Sequence, residues 1–193
     1  PYDCRNGGCG VCKATLVQGS VDYGVYQKSA LSDAERRSGK LLLCCACAQS
    51  DVDVELEEER EWQASVEHMS RLSPDVMLLQ LKVHASTPLA YRAGQYINIV
   101  LEDGATRSFS FATAPDRSEL IELHVRQIPG GRFTTHVFAH MKAGDRLRFR
   151  GPFGAFSVQE ESHRPIIFVA GATGFAPVKS MLEHAFERDV RRP

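Results

Sequence analysis

Cys4, Cys9 and Cys12 are separated by four and then two residues, and after a gap of 31 residues come Cys44, Cys45 and Cys47. Three thiols on one short loop, with a fourth from a distant segment, can wrap a compact two-iron dianion. C-x4-C-x2-C followed by a remote Cys is the ligand spacing of a [2Fe–2S] cluster, which moves one electron at a time. Gly7, Gly8 and Gly10 lie among these thiols. They let the backbone pass close, adopt positive φ and aim N–H groups at sulfur. Zinc is the competing occupant: structural zinc sites favour paired C-x2-C, which Cys9–Cys12 and Cys44–Cys47 both show, but such a site leaves Cys4 and its x4 step unused. Disulfides would suit a shorter secreted chain with dispersed cysteines. Here all six lie in the first 47 of 193 residues, which points to a metal site in a reducing compartment, the cytoplasm. The spacing leaves the fourth ligand open among Cys44, Cys45 and Cys47.

Two further stretches could do chemistry. In Arg107-Ser108-Phe109-Ser110 the Arg can neutralise a phosphate bidentately, the ring can stack on a planar group, and the Ser can hydrogen-bond its edge. On a regular strand Arg107 and Phe109 share one face and Ser110 takes the other, so a twist is expected there. Gly130-Gly131-Arg132-Phe133-Thr134-Thr135 puts a Gly turn before a helix, and the free N–H groups and dipole of such an N-terminus attract anions. Gly171-Ala172-Thr173-Gly174-Phe175-Ala176-Pro177 follows an apolar run, and its small residues let a dinucleotide approach the backbone. Pro177 suits a first helical turn.

The elements that must position these groups change character along the chain. Lys13–Val17 is strand-like. Ser32-Asp33-Ala34-Glu35 is a capping box and Gly39 a stop, which predicts a short helix. Residues 51–56 alternate as a strand with one wet face. Glu57-Glu58-Glu59-Arg60-Glu61 is a charge run expected to be solvated linker. From Trp62 to about Val158 the period is two. Strands are predicted at Val76–His84, Tyr96–Leu101, Arg107–Ala112, Ile121–Arg126 and Arg146–Arg150, with a helix at Thr135–Met141, as in a small antiparallel barrel. Ile166–Ala170 is continuously apolar, as in a parallel strand buried on both faces. Val178, Met181, Leu182, Ala185 and Phe186 then recur at helical spacing, so a strand, a Gly turn and a helix open a doubly wound nucleotide domain.

In this order the motifs resemble the bacterial [2Fe–2S] ferredoxin/FAD/NAD(P)H reductase family, across essentially the whole chain. "CRNGGCGVCK" and "LLLCCACAQSDV" are similar to its ferredoxin domain. Arg107–Ser110 is similar to its Arg-x-Tyr/Phe-Ser flavin motif, and residues 171–177 to its Gly-x-Thr-Gly-x-Ala-Pro loop, with Ala172 where Gly or Ser is common. The likeness is strongest to the CDP-6-deoxy-Δ3,4-glucoseen reductase-like branch, with oxygenase reductase components as relatives. It implies a multidomain α+β chain. A partial β-grasp ferredoxin domain spans residues 1–57, a linker 58–64, a six-stranded FAD-binding barrel 65–158, and the start of an NAD(P)-binding domain 163–193. It makes Cys44, seven residues before Asp51, the fourth ligand, pairs Cys4 with Cys9 and Cys12 with Cys44 on the two irons, and leaves Cys45 and Cys47 as free thiols. Arg107, Phe109, Ser110, His124, Val125, Arg126, Gly131, Phe133 and Thr134 would hold FAD, with FMN as an alternative. Gly171, Thr173, Gly174 and Pro177 would meet NADH or NADPH. Ser110 and Thr173 would stand at the reacting atoms.

The implied function is electron transfer from NAD(P)H through FAD to the cluster and on to a partner protein, a sugar dehydrase or an oxygenase component. Because the chain starts at Pro1 and stops soon after one strand–helix unit, we expect an internal fragment, inactive by itself in hydride transfer. The alternative of another class is a non-catalytic zinc or disulfide module fused to a β-barrel interaction domain. A formal charge of −1, from 23 Lys and Arg against 24 Asp and Glu, gives no basic footprint for nucleic acid. No apolar run is long enough to span a bilayer. His136, His140, His163 and His184 lack a partner at ligand spacing and are read as surface or packing residues.

Overall fold

The computed structural model describes residues 4–56, 60–115 and 117–191. They form two compact units. The first holds the residues up to Leu56 with Phe153–Phe156, and the second Arg60–Pro152 with the residues from Ser157 on.

The first unit contains β1 (Lys13–Gln18), β2 (Val21–Asp22), α1 (Asp33–Arg37), β3 (Lys40–Leu42), β4 (Cys47–Ala48) and β5 (Asp53–Leu56). β1 lies between β3 and β5, antiparallel to both. The capping box forms: the Ser32 hydroxyl accepts the Glu35 N–H at 3.2 Å, and the Glu35 carboxylate accepts the Ser32 N–H at 2.8 Å. Gly39, at φ +85°, ends that helical stretch. Cys12, Ala30, Leu31 and Leu42 make the small core, with Tyr23, Tyr26 and Cys44 packed on it. β5 departs from its expected pattern, because all four of its residues are exposed. It is an edge strand paired to β1, and among the described residues nothing covers Val54 and Leu56.

The second unit contains β6 (Glu61–Ser73), β7 (Val76–His84), β8 (Tyr96–Val100), β9 (Thr106–Ser110), β10 (Leu120–Arg126), α2 (Arg132–Ala139), β11 (Arg146–Phe153), a 3-10 turn at Ala172–Gly174 and α3 (Phe175–Glu187). Its six-stranded sheet runs β10-β7-β6-β11-β8-β9. The sheet curls until its ends meet, through a bridge between Phe111 and Leu123 and an Ala112 N–H to Glu122 carbonyl bond of 2.8 Å. Beyond that rung the ladder between β9 and β10 stops. Ile121, Leu123 and Val125 point into a core with Phe111, Phe133 and Phe149, while Glu122, His124 and Arg126 face outward.

β6 was not among the predicted strands. A bulge between Val66 and His68 shifts its register, so the inward series Trp62, Ala64, Val66 resumes out of phase at Met69. A period-two reading fails at such an inserted residue. The linker expected at 58–64 is correspondingly strand from Glu61 on, and Glu58 and Glu59 lie outside the described residues. Trp62 fixes this segment: its indole N–H donates to the Gly151 carbonyl at 2.8 Å, and the Arg60 guanidinium lies 3.8 Å from its ring centre.

The strand expected at Ile166–Ala170 is not formed, and Ile167 and Val169 are 86% and 88% exposed. A parallel strand needs neighbours on both sides, and among the described residues none pairs with this one. Phe168 still packs against the small cluster of Ala93, Val178 and Met181. α3 forms as the periodicity predicts, except that Phe186, expected on the apolar face, is 81% exposed.

Candidate functional site

In the first unit the thiols gather in one cluster. Cys4 interacts with Cys9, and Cys12 and Cys45 each with Cys44. The Gly8 N–H points at Cys4 Sγ at 3.3 Å and the Cys44 N–H at Cys12 Sγ at 3.5 Å. Gly7 holds φ +72°, and a Cβ there would come within 2.7 Å of Cys45 Sγ and 2.9 Å of the Tyr26 backbone. Burial raises the Cys4 thiol, but the N–H groups of Asn6, Gly8 and Cys9 and the Cys9 thiol outweigh it and bring it down to about 7. Burial pushes Cys9 and Cys12 up, their paired thiols adding to the effect. Burial and the Cys44 thiol push Cys45 up to about 11. Cys45 Sγ is 3.5 Å from Cys44 Sγ, and Cys47 is exposed on β4.

This donor set fits a binuclear cluster. Cys4, Cys9, Cys12 and Cys44 offer four soft thiols, enough for two per iron. Among the described residues no three His, Cys, Asp or Glu side chains converge as ligands of one ion.

The second site opens at the barrel seam. Past the Phe111–Leu123 rung a cavity of about 540 Å³ lies between the diverging ends of β9 and β10. It is lined by Arg107, Ser108, Phe109 and Ser110 from one side, His124 and Arg126 from the other, Gly131, Phe133 and Thr134 at the start of α2, and Thr173 and Gly174 of the 3-10 turn. Because the cavity wraps the free edge of β9, both faces of that strand contribute, which accommodates the twist expected there. Phe109 packs on Phe133 with ring centres 5.3 Å apart.

The first turn of α2 has no side-chain cap and no acidic residue, so its N–H groups and dipole remain available to an anion. Thr134 Oγ1 is turned inward on the Ile128 and Gly131 carbonyls, and a Cβ on Gly131 would fall 2.5 Å from it. The position therefore requires glycine. These features fit a planar aromatic group carrying a phosphate: a ring to pack on, a guanidinium at Arg107, a bare helix start and a cavity of cofactor size.

Of the sequence-predicted residues, three stand outside this cavity. Val125 is buried in the barrel core by strand alternation, and Gly171 and Pro177 do not reach the lining. Ser108, Ile128 and Ala176 line it without having been singled out. The only signal for Ser108 was its place inside the Arg107–Ser110 stretch. Ala172 has φ +49°, a left-handed conformation that disfavours a side chain. His124 is held below the ordinary imidazole range by burial and then by the charge of Lys179, with Glu122 opposing. His184 Nε2 is 2.8 Å from the Glu160 carboxylate.

Residues 1–49 match the 2Fe-2S iron-sulfur cluster binding domain and residues 63–158 the oxidoreductase FAD-binding domain. The chain belongs to the family of iron–sulfur flavoprotein oxidoreductases that join these two domains. It is 38% identical over 200 residues to the terephthalate 1,2-dioxygenase reductase component 2 of a Comamonas species, covering 100% of this chain and 59% of that protein. It is 35% identical over 199 residues to the CDP-6-deoxy-L-threo-D-glycero-4-hexulose-3-dehydrase reductase of Yersinia pestis, covering 99% of this chain and 59% of that one. The crystal structure of the Amycolatopsis cytochrome P450 reductase GcoB superposes with a TM-score of 0.70 at 34% identity, over 100% of this chain and 61% of that chain. The chain thus spans about three fifths of the length of the curated relatives it matches. Among the described residues no helix is long and apolar enough to cross a membrane.

Proposed function

We propose that the protein is an NAD(P)H-dependent reductase that passes electrons through FAD to a [2Fe–2S] cluster and on to a partner protein. The seam cavity carries this reading, because it gathers a cation, an aromatic ring, a hydroxyl, a bare helix N-terminus and the Thr173–Gly174 turn around one volume. When bound, the flavin accepts a hydride and releases single electrons, and the chain supplies placement and tuning.

Arg107 and the start of α2 hold the phosphates. Phe109 packs on the ring system, and the Ser110 hydroxyl hydrogen-bonds its edge. Thr173 and Gly174, with Gly171 and Pro177 shaping the loop, admit the nicotinamide beside it. Val125 contributes through its backbone, its side chain being in the core. Cys4 and Cys9 hold one iron and Cys12 and Cys44 the other, while the Gly8 and Cys44 N–H groups tune the sulfurs. Cys45 and Cys47 stay free. Such thiolates are suited to a reducing compartment, the cytoplasm. The electron acceptor is a sugar dehydrase or an oxygenase component, since the Yersinia and Comamonas relatives carry those two kinds of name.

The test is direct. The holoprotein should be brown, with iron and flavin bound, and NAD(P)H should bleach its flavin band. Arg107→Ala should weaken flavin binding about tenfold or more, as loss of a charge-assisted hydrogen bond does, with iron content unchanged. A well-folded full-length protein that stays colourless when supplied with iron, sulfide and flavin refutes the proposal. Reduction of a dehydrase or of an oxygenase component in a reconstituted assay assigns the acceptor.

A further inference from the structure

We infer that Lys179, clamped between Glu122 and Glu183, is a positioning residue that sets how the Ala172–Gly174 turn faces the flavin strand. The inference rests on the reading above.

α3 docks on the barrel by reading three successive residues. Lys179 Nζ donates to the Ala112 carbonyl at 2.8 Å, Ser180 Oγ to the Thr113 carbonyl at 2.5 Å, and the Ala114 N–H donates to Glu183 at 3.2 Å. Residues 112–114 continue β9 directly past the seam rung, and Thr113 Oγ1 accepts the Glu122 N–H of β10 at 2.9 Å. The helix therefore grips the point where both walls of the cavity meet. Lys179 lies in the second turn of α3, which follows directly on the Ala172–Gly174 turn, so a shift at this joint is passed to that turn through the start of the helix.

The joint is ionic. Lys179 Nζ lies 2.8 Å from Glu122 and 2.9 Å from Glu183, with the three side chains only 29%, 16% and 15% exposed. Gln80 also donates to Glu122 at 2.9 Å, and Arg117 lies 3.5 Å from Glu183. One ammonium holds together two largely buried carboxylates on opposite sides of the contact. Without it Glu122 keeps the Gln80 amide and Glu183 the Ala114 N–H and Arg117, but the two carboxylates repel each other across the joint. The apolar contacts of α3 are chiefly those of Val178 and Met181 with Ala93. Lys179 does not itself line the cavity, and of the lining residues its charge acts on His124.

Lys179→Met, Lys179→Arg and Glu122→Gln in the holoprotein test the role. Lys179→Met should slow flavin reduction by NAD(P)H about tenfold, the scale of a small misplacement, with flavin and iron content unchanged. Amide hydrogens of residues 171–177 should exchange about tenfold faster as the local contact opens. Lys179→Arg should restore most of both effects, and Glu122→Gln should show them more weakly. Exchange is read without nicotinamide, so it decides the positioning claim even where the wild type binds no flavin or oxidises no NAD(P)H, results that would instead sink the function above. Wild-type rate and exchange in Lys179→Met overturn the inference. So does a uniform loss of flavin and thermal stability that Lys179→Arg does not relieve. Should Lys179→Met fail to fold, Glu122→Gln with unchanged exchange at 171–177 overturns it equally.

Discussion

The thiol loop and the seam cavity are built on opposite plans. In the first, Cys4, Cys9 and Cys12 sit within nine residues, and a single distant strand-to-turn segment closes over them. Glycine geometry and a few N–H groups do most of the positioning. In the second, the lining comes from two strands, a helix start and a 3-10 turn spread from Arg107 to Ala176. It exists because β9 and β10 part company past one rung. The first site is a property of a loop, and the second is a property of a fold. Damage to the first should therefore be all-or-none and local, whereas damage to the second should be graded and shared with barrel stability.

The largest effect should come from the thiols. Cys44→Ser should abolish the visible bands and the iron of the cluster while leaving flavin in place, and Cys45→Ser and Cys47→Ser should keep both. Iron lost in Cys47→Ser but kept in Cys44→Ser would reassign the fourth ligand. Next is Gly131→Val. Its Cβ would meet Thr134 Oγ1 at 2.5 Å and the Ile128 carbonyl at 3.0 Å, so the start of α2 must shift. The barrel should lose about 1–3 kcal/mol in urea unfolding, as overpacked sites do, and flavin content should fall with it while iron stays. Retained flavin would show that the helix start is not part of that site.

A smaller effect concerns acid. Burial raises the Glu35 carboxyl, but Lys13 and the Ser32 N–H and hydroxyl outweigh it and lower it from 4.5 to about 2. A depressed carboxylate stabilises the folded state fully above its unfolded value and less as pH falls toward its folded one. The first unit should therefore lose stability between about pH 4.5 and 2, and Glu35→Gln should flatten that slope, read by circular dichroism. The smallest effect is Ala172→Gly. Relief of the left-handed residue at φ +49° should offset the entropy of glycine, giving a gain of at most about 1 kcal/mol in thermal unfolding. A clear loss there would mean that the methyl group is itself packed.

The same contrast explains what could be read from the chain alone. The cysteine spacing was legible because its ligands are adjacent in sequence, and only the choice among Cys44, Cys45 and Cys47 needed more. The barrel and the helix after it followed from the switch between periods, and β7 and β10 follow their alternation closely. Three features escaped for physical reasons. The β6 bulge broke the alternation by one residue. The Ile166–Ala170 run has strand composition, yet a strand exists only where another pairs with it. Val125 shares a motif with His124 and Arg126 but faces the core, because neighbours on a strand point to opposite sides. The joint at Lys179 is invisible in sequence, since Glu122 and Lys179 are 57 residues apart.

The seam has one more consequence. Where β9 and β10 diverge, the barrel is an incomplete ring, and whatever fills the gap acts as the missing segment of wall. A ligand held only by the folded form adds stability in proportion to the logarithm of its saturation, about 2.7 kcal/mol at a hundred times its dissociation constant. Flavin supply should thus set how long the barrel survives, and a cell short of the cofactor would lose the protein as well as its activity.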